Sequence, residues 1–353
     1  MAHVLRSGRA WEDKIPDRLC NRCRSLNIRR SQFFVGPVPV DDSEACFEGV
    51  RSLGLLADLR NKFYCPFCRI VVHTHGNLPS EYHVHGEVII SWSERGYKLL
   101  GSPVSYHLGI SEAQGHYYPG QLGSSRHVLT LLEKDSIPNL GLSRLVRREG
   151  IDFNILKRWL QLCEKGHRDE SNPLPNREAQ SGVGSFRLID LQKQCVVLAP
   201  SIYDYGYFAL SYVWGSKKQL EARRDNIRML ESPGALSACL DSIPMTIRDA
   251  MTLVQELEER YLWVDSLCIV QDDPRMKASA TASMDVVYGC AYVTIIAGSG
   301  EDAHSDIPGV RPGTRGMEQN METIGPNITM VSIREHLDAL KRSTYTSRAW
   351  TYV

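Results

Sequence analysis

Two Cys-x-x-Cys pairs and one run of carboxylates hold most of the chemistry this sequence could perform. Cys20 and Cys23 form the first pair; Cys65 and Cys68, in YCPFCR, form the second. A Cys-x-x-Cys turn sets two thiolates close enough to chelate one ion, and two such turns brought together make a tetrahedral zinc site of four thiolates. The interval between the pairs is longer than in compact four-cysteine modules, so two turns with buried free thiols stay open as the alternative. His73 and His75, in VVHTHG, could replace a cysteine. On a strand, however, a His-x-His projects both rings to one face with no need of metal. Cys46 reads as a core thiol, and Cys163, four residues before His167, as a buried thiol at a helix end.

Asp265, Gln271, Asp272 and Asp273 follow the apolar run Tyr261 to Val264. Such carboxylates could orient a ribose or bind a cation. They could equally cap a helix, and Asp273-Pro274 has the form of a helix start. No motif of a common catalytic chemistry is complete: there is no Walker loop, G-x-G-x-x-G, G-x-S-x-G or His-Glu-x-x-His. Cys268 has no neighbouring His or Arg to lower its pKa, which argues against a nucleophile. No catalytic residue is assigned.

The elements that must position these residues read as α/β. Tyr261 to Val264 is a buried strand. Met276, Ala280, Met284 and Val287 make one helical face after Asp273, and Tyr292 to Ala297 is a second strand ended by Gly298-Ser299-Gly300. Strand, helix and strand are most simply a right-handed βαβ unit in a parallel sheet. Phe208 to Tyr212 is a further strand with Trp214-Gly215-Ser216 beyond its end, Trp214 being either a core anchor or a ring lining a cleft. Thr246 to Glu259 is the clearest helix, with Thr246 and Asp249 as a capping-box-like start and Ile247, Ala250, Met251, Val254 and Leu257 as its stripe. FRLIDL and CVVLA are an antiparallel pair around Gln192-Lys193. Ser211, Trp214, Asp265, Gln271 and Asp272 should all emerge at the carboxyl edge of the sheet, where open α/β sheets place ligands.

Elsewhere the pattern is weaker. Val84 to Leu100 reads as a hairpin or meander, Gly101 to Leu145 as mostly loop, and Asp152 to Cys163 as a helix with Ile155, Leu156, Trp159, Leu160 and Cys163 on its apolar side. Beyond Gly300 come a long surface loop, a strand at Asn327 to Val331, a short helix at Ile333 to Leu340, and SRAWTYV, which reads as the first turn of a helix cut short. The domain reading is an N-terminal Cys-x-x-Cys region over 1–170, a linker over 171–185 and an α/β domain over 186–353, the last truncated at its C-terminus.

The chain has 353 residues, with 41 Lys and Arg balanced by 41 Asp and Glu. Zero net charge removes the general electrostatic case for nucleic acid or anionic membrane. A zinc-dependent nucleic-acid binder is disfavoured by the lack of a basic stripe. No apolar run approaches the ~20 residues of a membrane helix, and the N-terminus lacks the apolar stretch of a signal peptide. A cytoplasmic protein with reduced or metal-bound cysteines is the expectation.

The segments YFALSYVWG, IPMTIRDAM, YLWVDSLCIVQDD, VVYGCAYVTIIAG, DIPGV and SRAWT, in this order, closely resemble the HET (heterokaryon incompatibility) domain of filamentous fungi. The resemblance covers roughly Phe186 to the end. It implies a fungal, cytoplasmic protein of allorecognition and regulated cell death, acting through protein partners or self-association. HET domains are considered distant relatives of the TIR domain, a doubly wound parallel sheet, and some TIR domains cleave NAD using a helical glutamate. The resemblance thus implies a TIR-like sheet, and the Cys-x-x-Cys region and the helix KRWLQLC look like the region that often precedes HET domains. With the zinc read from the cysteine pairs, the sheet is then preceded by a small Cys-rich, zinc-stabilised α+β region. It also implies a cleft for NAD or a related nucleotide, lined by Ser211, Trp214, Asp265, Gln271 and Asp272, with Arg348 and Trp350 joining if the terminal segment folds back. The HET pattern continues Arg-x-Trp-Thr-x-Gln-Glu. Here Arg348, Trp350 and Thr351 match, while Val353 replaces the Gln and the Glu is absent, so no NAD hydrolysis is expected. Ala280, Val270 and Asp306 stand where the pattern has Gln, Asn and Gly. A non-catalytic interaction module is the alternative.

Overall fold

The computed structural model describes residues 17–35, 49–75, 87–95, 104–113, 127–132, 143–166, 186–316, 319–334, 340 and 343–347. Cys46, His167, Arg348, Trp350 and Thr351 lie outside the described residues. The chain divides into two compact units, Met1–Val146 with Glu318–Asp338, and Arg147–Met317 with Ala339–Val353.

The first unit is built on an antiparallel sheet of β1 (Phe34–Val35), β2 (Val50–Leu55), β3 (Glu87–Arg95), β4 (Val104–Ala113), β5 (His127–Leu131), β11 (Met321–Gly325) and β12 (Ile328–Arg334). Its order is β11-β12-β5-β4-β3-β2, with β1 on β4. Val88 and Ile90, Leu108 and Ile110, and Leu129 and Leu131 recur at every second position and are buried, as one face of a pleated sheet requires. They share a core with α3 (Pro66–His75), which buries Phe67, Ile70 and Val71. The short helices α1 (Asn21–Ser25) and α2 (Leu56–Arg60) complete the unit.

Several expectations fail here. The stretch read as loop contains β4 and β5, because the Ser, Gly and His residues between their apolar positions hide the alternation. No hairpin forms within 87–95; that stretch is one strand lying between β2 and β4. His73 and His75 sit on a helix rather than a strand, and His73 is exposed. The strand expected at Asn327 to Val331 exists, but it pairs with β5 in this sheet rather than joining the α/β domain. Ile333 and Arg334 extend that strand instead of starting a helix.

The second unit is built on β6 (Phe186–Asp190), β7 (Cys195–Ala199), β8 (Phe208–Ser211), β9 (Tyr261–Trp263) and β10 (Val293–Ile296), in the order β10-β8-β9-β6-β7. β8 pairs in parallel with both β10 and β9, as their continuous apolar runs require. The sheet as a whole is mixed, not wholly parallel: β6 is antiparallel to β9 and β7. A turn as short as the one after Asp190 can only return the chain antiparallel. Asp190 shapes that turn, accepting from the N–H groups of Gln192 and Lys193, both at 3.0 Å, while pairing with Arg260 at 2.6 Å.

Helices α4 (Phe153–Gly166), α5 (Ile227–Leu230), α6 (Ala235–Ala238), α7 (Met245–Glu256), α8 (Asp265–Cys268), α9 (Pro274–Ala282) and α10 (Met284–Cys290) surround this sheet. α7 joins β8 to β9; α8 to α10 join β9 back across β8 to β10. Right-handed crossovers running in opposite directions put these two groups on opposite faces. α7 buries Ile247, Ala250, Met251, Leu253 and Val254, and α10 meets β9 through Tyr288 and Trp263, ring centroids 5.5 Å apart.

Asp273 caps α9 as expected, accepting from the N–H groups of Arg275 and Met276. The single apolar face expected from Met276 to Val287 is broken at Ser283, and α9 buries none of its residues. α7 has Pro244 at its N-cap position and no side-chain cap, so Thr246 and Asp249 are not a capping box. Leu156 and Leu160 of α4 pack on the core of the second unit, although the helix was expected with the N-terminal region. An amphipathic face shows that a helix has a core to join, not which one. Trp159 and Cys163 on that helix are exposed, so Cys163 is not the buried thiol expected. Among the described residues no helix is long and apolar enough to cross a membrane.

Candidate metal centre and sheet-edge cluster

The two Cys-x-x-Cys pairs converge. Cys20 and Cys65 each stand directly before a short helix, α1 and α3, and Cys23 and Cys68 lie one turn inside. In each case the first cysteine's carbonyl accepts the N–H four residues on, Arg24 at 2.9 Å and Arg69 at 3.0 Å. All four thiols are buried, and their sulfur atoms lie within 4.8 Å of one another. Cys68 Sγ is 3.9 Å from that of Cys20 and 3.6 Å from that of Cys23. The set can hold a metal ion.

Its electrostatics favour a cation. Hydrogen bonds with Cys23 and Cys68 push the Cys65 thiol down, while bonds with Cys65 and Cys68, and then burial, push Cys23 up. Cys68 is lowered by its bond with Cys23, but the Cys65 bond, burial and the neighbouring thiols raise it overall. One thiolate is thus stabilised at the expense of its neighbours, and four can coexist in a buried cluster only around positive charge.

At the carboxyl edge of the second sheet, Trp214, Asp265 and Gln271 come together. The Trp214 indole N–H donates to one Asp265 oxygen at 2.8 Å, and the Ser266 N–H donates to the other at 2.7 Å. Gln271 Nε2 donates to the carbonyls of Asp265 and Ile269, at 2.9 and 3.0 Å. Trp214 is half-buried and also packs on the core, so both readings of it describe the same side chain. Ser211 and Asp272 bond elsewhere. Ser211 Oγ lies 2.7 Å from Tyr345 Oη, and Asp272 accepts the Arg224 N–H at 2.9 Å.

Sequence reasoning missed what supports this edge. Tyr212 donates to Ser266 Oγ at 3.0 Å, and burial, then the Asp265 charge, push its phenol well up. The region after Gly300 is docked rather than a free surface loop, with Ala303 fully buried. Thr246 Oγ1 donates to the Ser305 carbonyl at 2.7 Å. Asp249 accepts from the Ile307 N–H and from Arg311 Nε, both at 2.8 Å. The docked loop reaches Trp214: its carbonyl accepts the Ala303 N–H at 3.3 Å, and Lys217 pairs with Asp302 at 2.7 Å. Asp249 is a charged residue on an otherwise apolar helical face, and that was the signal available.

Residues 207–353 match the family model of the heterokaryon incompatibility protein (HET). Heterokaryon incompatibility protein 6, OR allele, of Neurospora crassa is 30% identical over 106 residues, which make up 29% of this chain and 15% of that protein. The match thus spans well under two thirds of that relative's length. No solved structure matches the chain. The parallel strands β8, β9 and β10, the Trp214–Asp265 pair and the docked loop all fall inside the matched residues, and the chain carries a HET domain over 207–353.

Proposed function

We propose that the chain acts in heterokaryon incompatibility as a cytoplasmic interaction module, its HET domain binding protein partners and a structural zinc ion clamping the first unit. The observation that carries the interaction reading is the mutual bonding of the sheet-edge side chains. Asp265 has both oxygens engaged, Gln271 holds two carbonyls and Asp272 holds a backbone N–H. These groups hold one another in place and shape a surface. Zinc is favoured because tetrahedral bonds of ~2.3 Å separate sulfur atoms by roughly 3.8 Å, close to the spacings of Cys68 from Cys20 and Cys23, and a closed four-sulfur set suits a structural ion.

Inducible expression in a filamentous fungus tests the incompatibility role. Wild type should arrest growth, and Trp214→Ala, at equal abundance, should not. Wild type leaving growth unaffected, or arrest by both, would overturn the reading.

One observation favours a second reading. The order β9-β8-β10 is that of the first three strands of a TIR-like doubly wound sheet, whose switch point between β8 and β10 is where such sheets bind ligands. Ser211 stands there. On this reading the edge takes NAD or a related nucleotide without cleaving it. Calorimetry with NAD on wild type and Asp265→Asn decides it: weaker binding by the variant supports a nucleotide site, and equal or absent binding by both removes it.

A further inference from the structure

Away from the sheet edge, α9 stands off the sheet. It buries none of its own residues, and a cavity of about 230 Å³ lies between it and the strands. Phe186, Trp263, Ile269, Met276 and Val287 give it apolar walls. Arg187, on β6, also lines it. Its Nε donates to Glu231 at 3.0 Å, while its Nη1 is buried without a hydrogen-bond partner. Arg275, exposed at the start of α9, lines the same cavity from the solvent side.

We propose that this cavity binds a small aromatic carboxylate, its ring against Trp263 and Val287 and its carboxylate on Arg187. Three features set the class. The volume exceeds the roughly 150 Å³ that suffices for a benzene ring in an apolar cavity, so a ring with a substituent fits. The walls are those of an apolar ligand pocket with few polar groups to fix orientation. The polar group present is a guanidinium with an unused N–H, whose best acceptor is an anionic oxygen. A neutral apolar molecule would fill the space and leave that donor unpaired. The site is separate from the Asp265 edge and does not rest on its function.

The probe is naphthalene-2-carboxylate, titrated calorimetrically into the full chain, with naphthalene-2-carboxamide as its uncharged match. The carboxylate should bind saturably and at least about tenfold more tightly than the amide, the discrimination expected of one charge-assisted hydrogen bond. Arg187→Gln should remove that preference. Ala280→Trp, which fills the cavity from α9 and spares Arg187, should abolish binding of both compounds; melting curves confirm that each variant folds. No saturable binding by wild type, equal binding of acid and amide, or full binding by Ala280→Trp would each overturn the assignment, the cavity then holding water alone or the ligand sitting elsewhere.

Discussion

Removing the Asp249 carboxylate tests the support of the sheet edge. The side chain is 1% exposed, with one oxygen on the Ile307 N–H and the other on Arg311 Nε, both at 2.8 Å. Asp249→Ala leaves the Ile307 N–H without its acceptor and removes one of the two carboxylates on the Arg311 guanidinium, Asp306 remaining. A hydrogen bond to a charged group contributes about 1.5–3 kcal/mol, and breaking a fully buried pair costs about 3–5 kcal/mol. The Arg311 side chain is 41% exposed and can rehydrate, so the upper figures do not apply and about 2–3 kcal/mol is expected. For a unit of this size that is a fall in Tm of about 4–12 °C. Scanning calorimetry is the assay, because the two units need not melt together. Asp249→Asn keeps an acceptor for Ile307 and should lose roughly half as much. A loss below about 1 kcal/mol for the alanine variant, or equal losses for both, would refute the view that this carboxylate pins the 302–311 loop.

Three further outcomes follow from the geometry. Metal analysis of the purified chain should give one zinc, and chelation should melt the first unit while sparing the second; a metal-free chain of unchanged stability would leave the four thiols as plain core residues. Gly215 has φ +74°, and a Cβ there would lie 2.4 Å from Asp302 Cβ, so Gly215→Ala should cost about 1–3 kcal/mol, and a neutral result would mean the loop is not packed on Trp214. Burial alone would raise the Asp190 pKa, but Arg260 and the Lys193 and Gln192 N–H groups hold it below the usual range. Its stabilisation is therefore complete above the unfolded value of about 3.9 and is lost as pH falls through the lower folded value. Acid unfolding of Asp190→Asn should lack that limb, and curves of identical shape for variant and wild type would count against it.

What the sequence revealed and concealed divides along physical lines. Tyr261 to Val264, Phe208 to Tyr212 and Tyr292 to Ala297 were legible as parallel strands because strands buried on both faces are continuously apolar. Asp273-Pro274 was legible because capping is local. β4 was not: VSYHLGISEA carries small and polar residues that weaken its alternation, and its order comes from pairing with β3 along its whole length. β12 was legible as a strand but not as a partner of β5, since register with a segment about two hundred residues away leaves no local mark. Among site residues, Cys20, Cys23, Cys65 and Cys68 were found by spacing, and Trp214, Asp265 and Gln271 by their place after strands. Arg311 and Tyr345 were invisible, because each acts through one long-range bond, to Asp249 and Ser211.

The Trp214–Asp265 bond bears on which reading of the HET domain is the more economical. Asp265 accepts the indole N–H at 2.8 Å on one oxygen and the Ser266 N–H at 2.7 Å on the other. A nucleotide hydroxyl could add a bond on a remaining lone pair, and one such charge-assisted bond contributes about 1.5–3 kcal/mol. The rest of the affinity would have to come from stacking on a Trp214 ring that already packs on the core. A protein partner does not depend on one added bond. It can use the outward surface that these bonds make rigid, and rigidity lowers the ordering cost of association. On the interaction reading, the bonds that fix Asp265 hold the Trp214 loop as a preformed surface, its shape set by Asp302 beneath Gly215 and by Asp249 beneath the loop beyond.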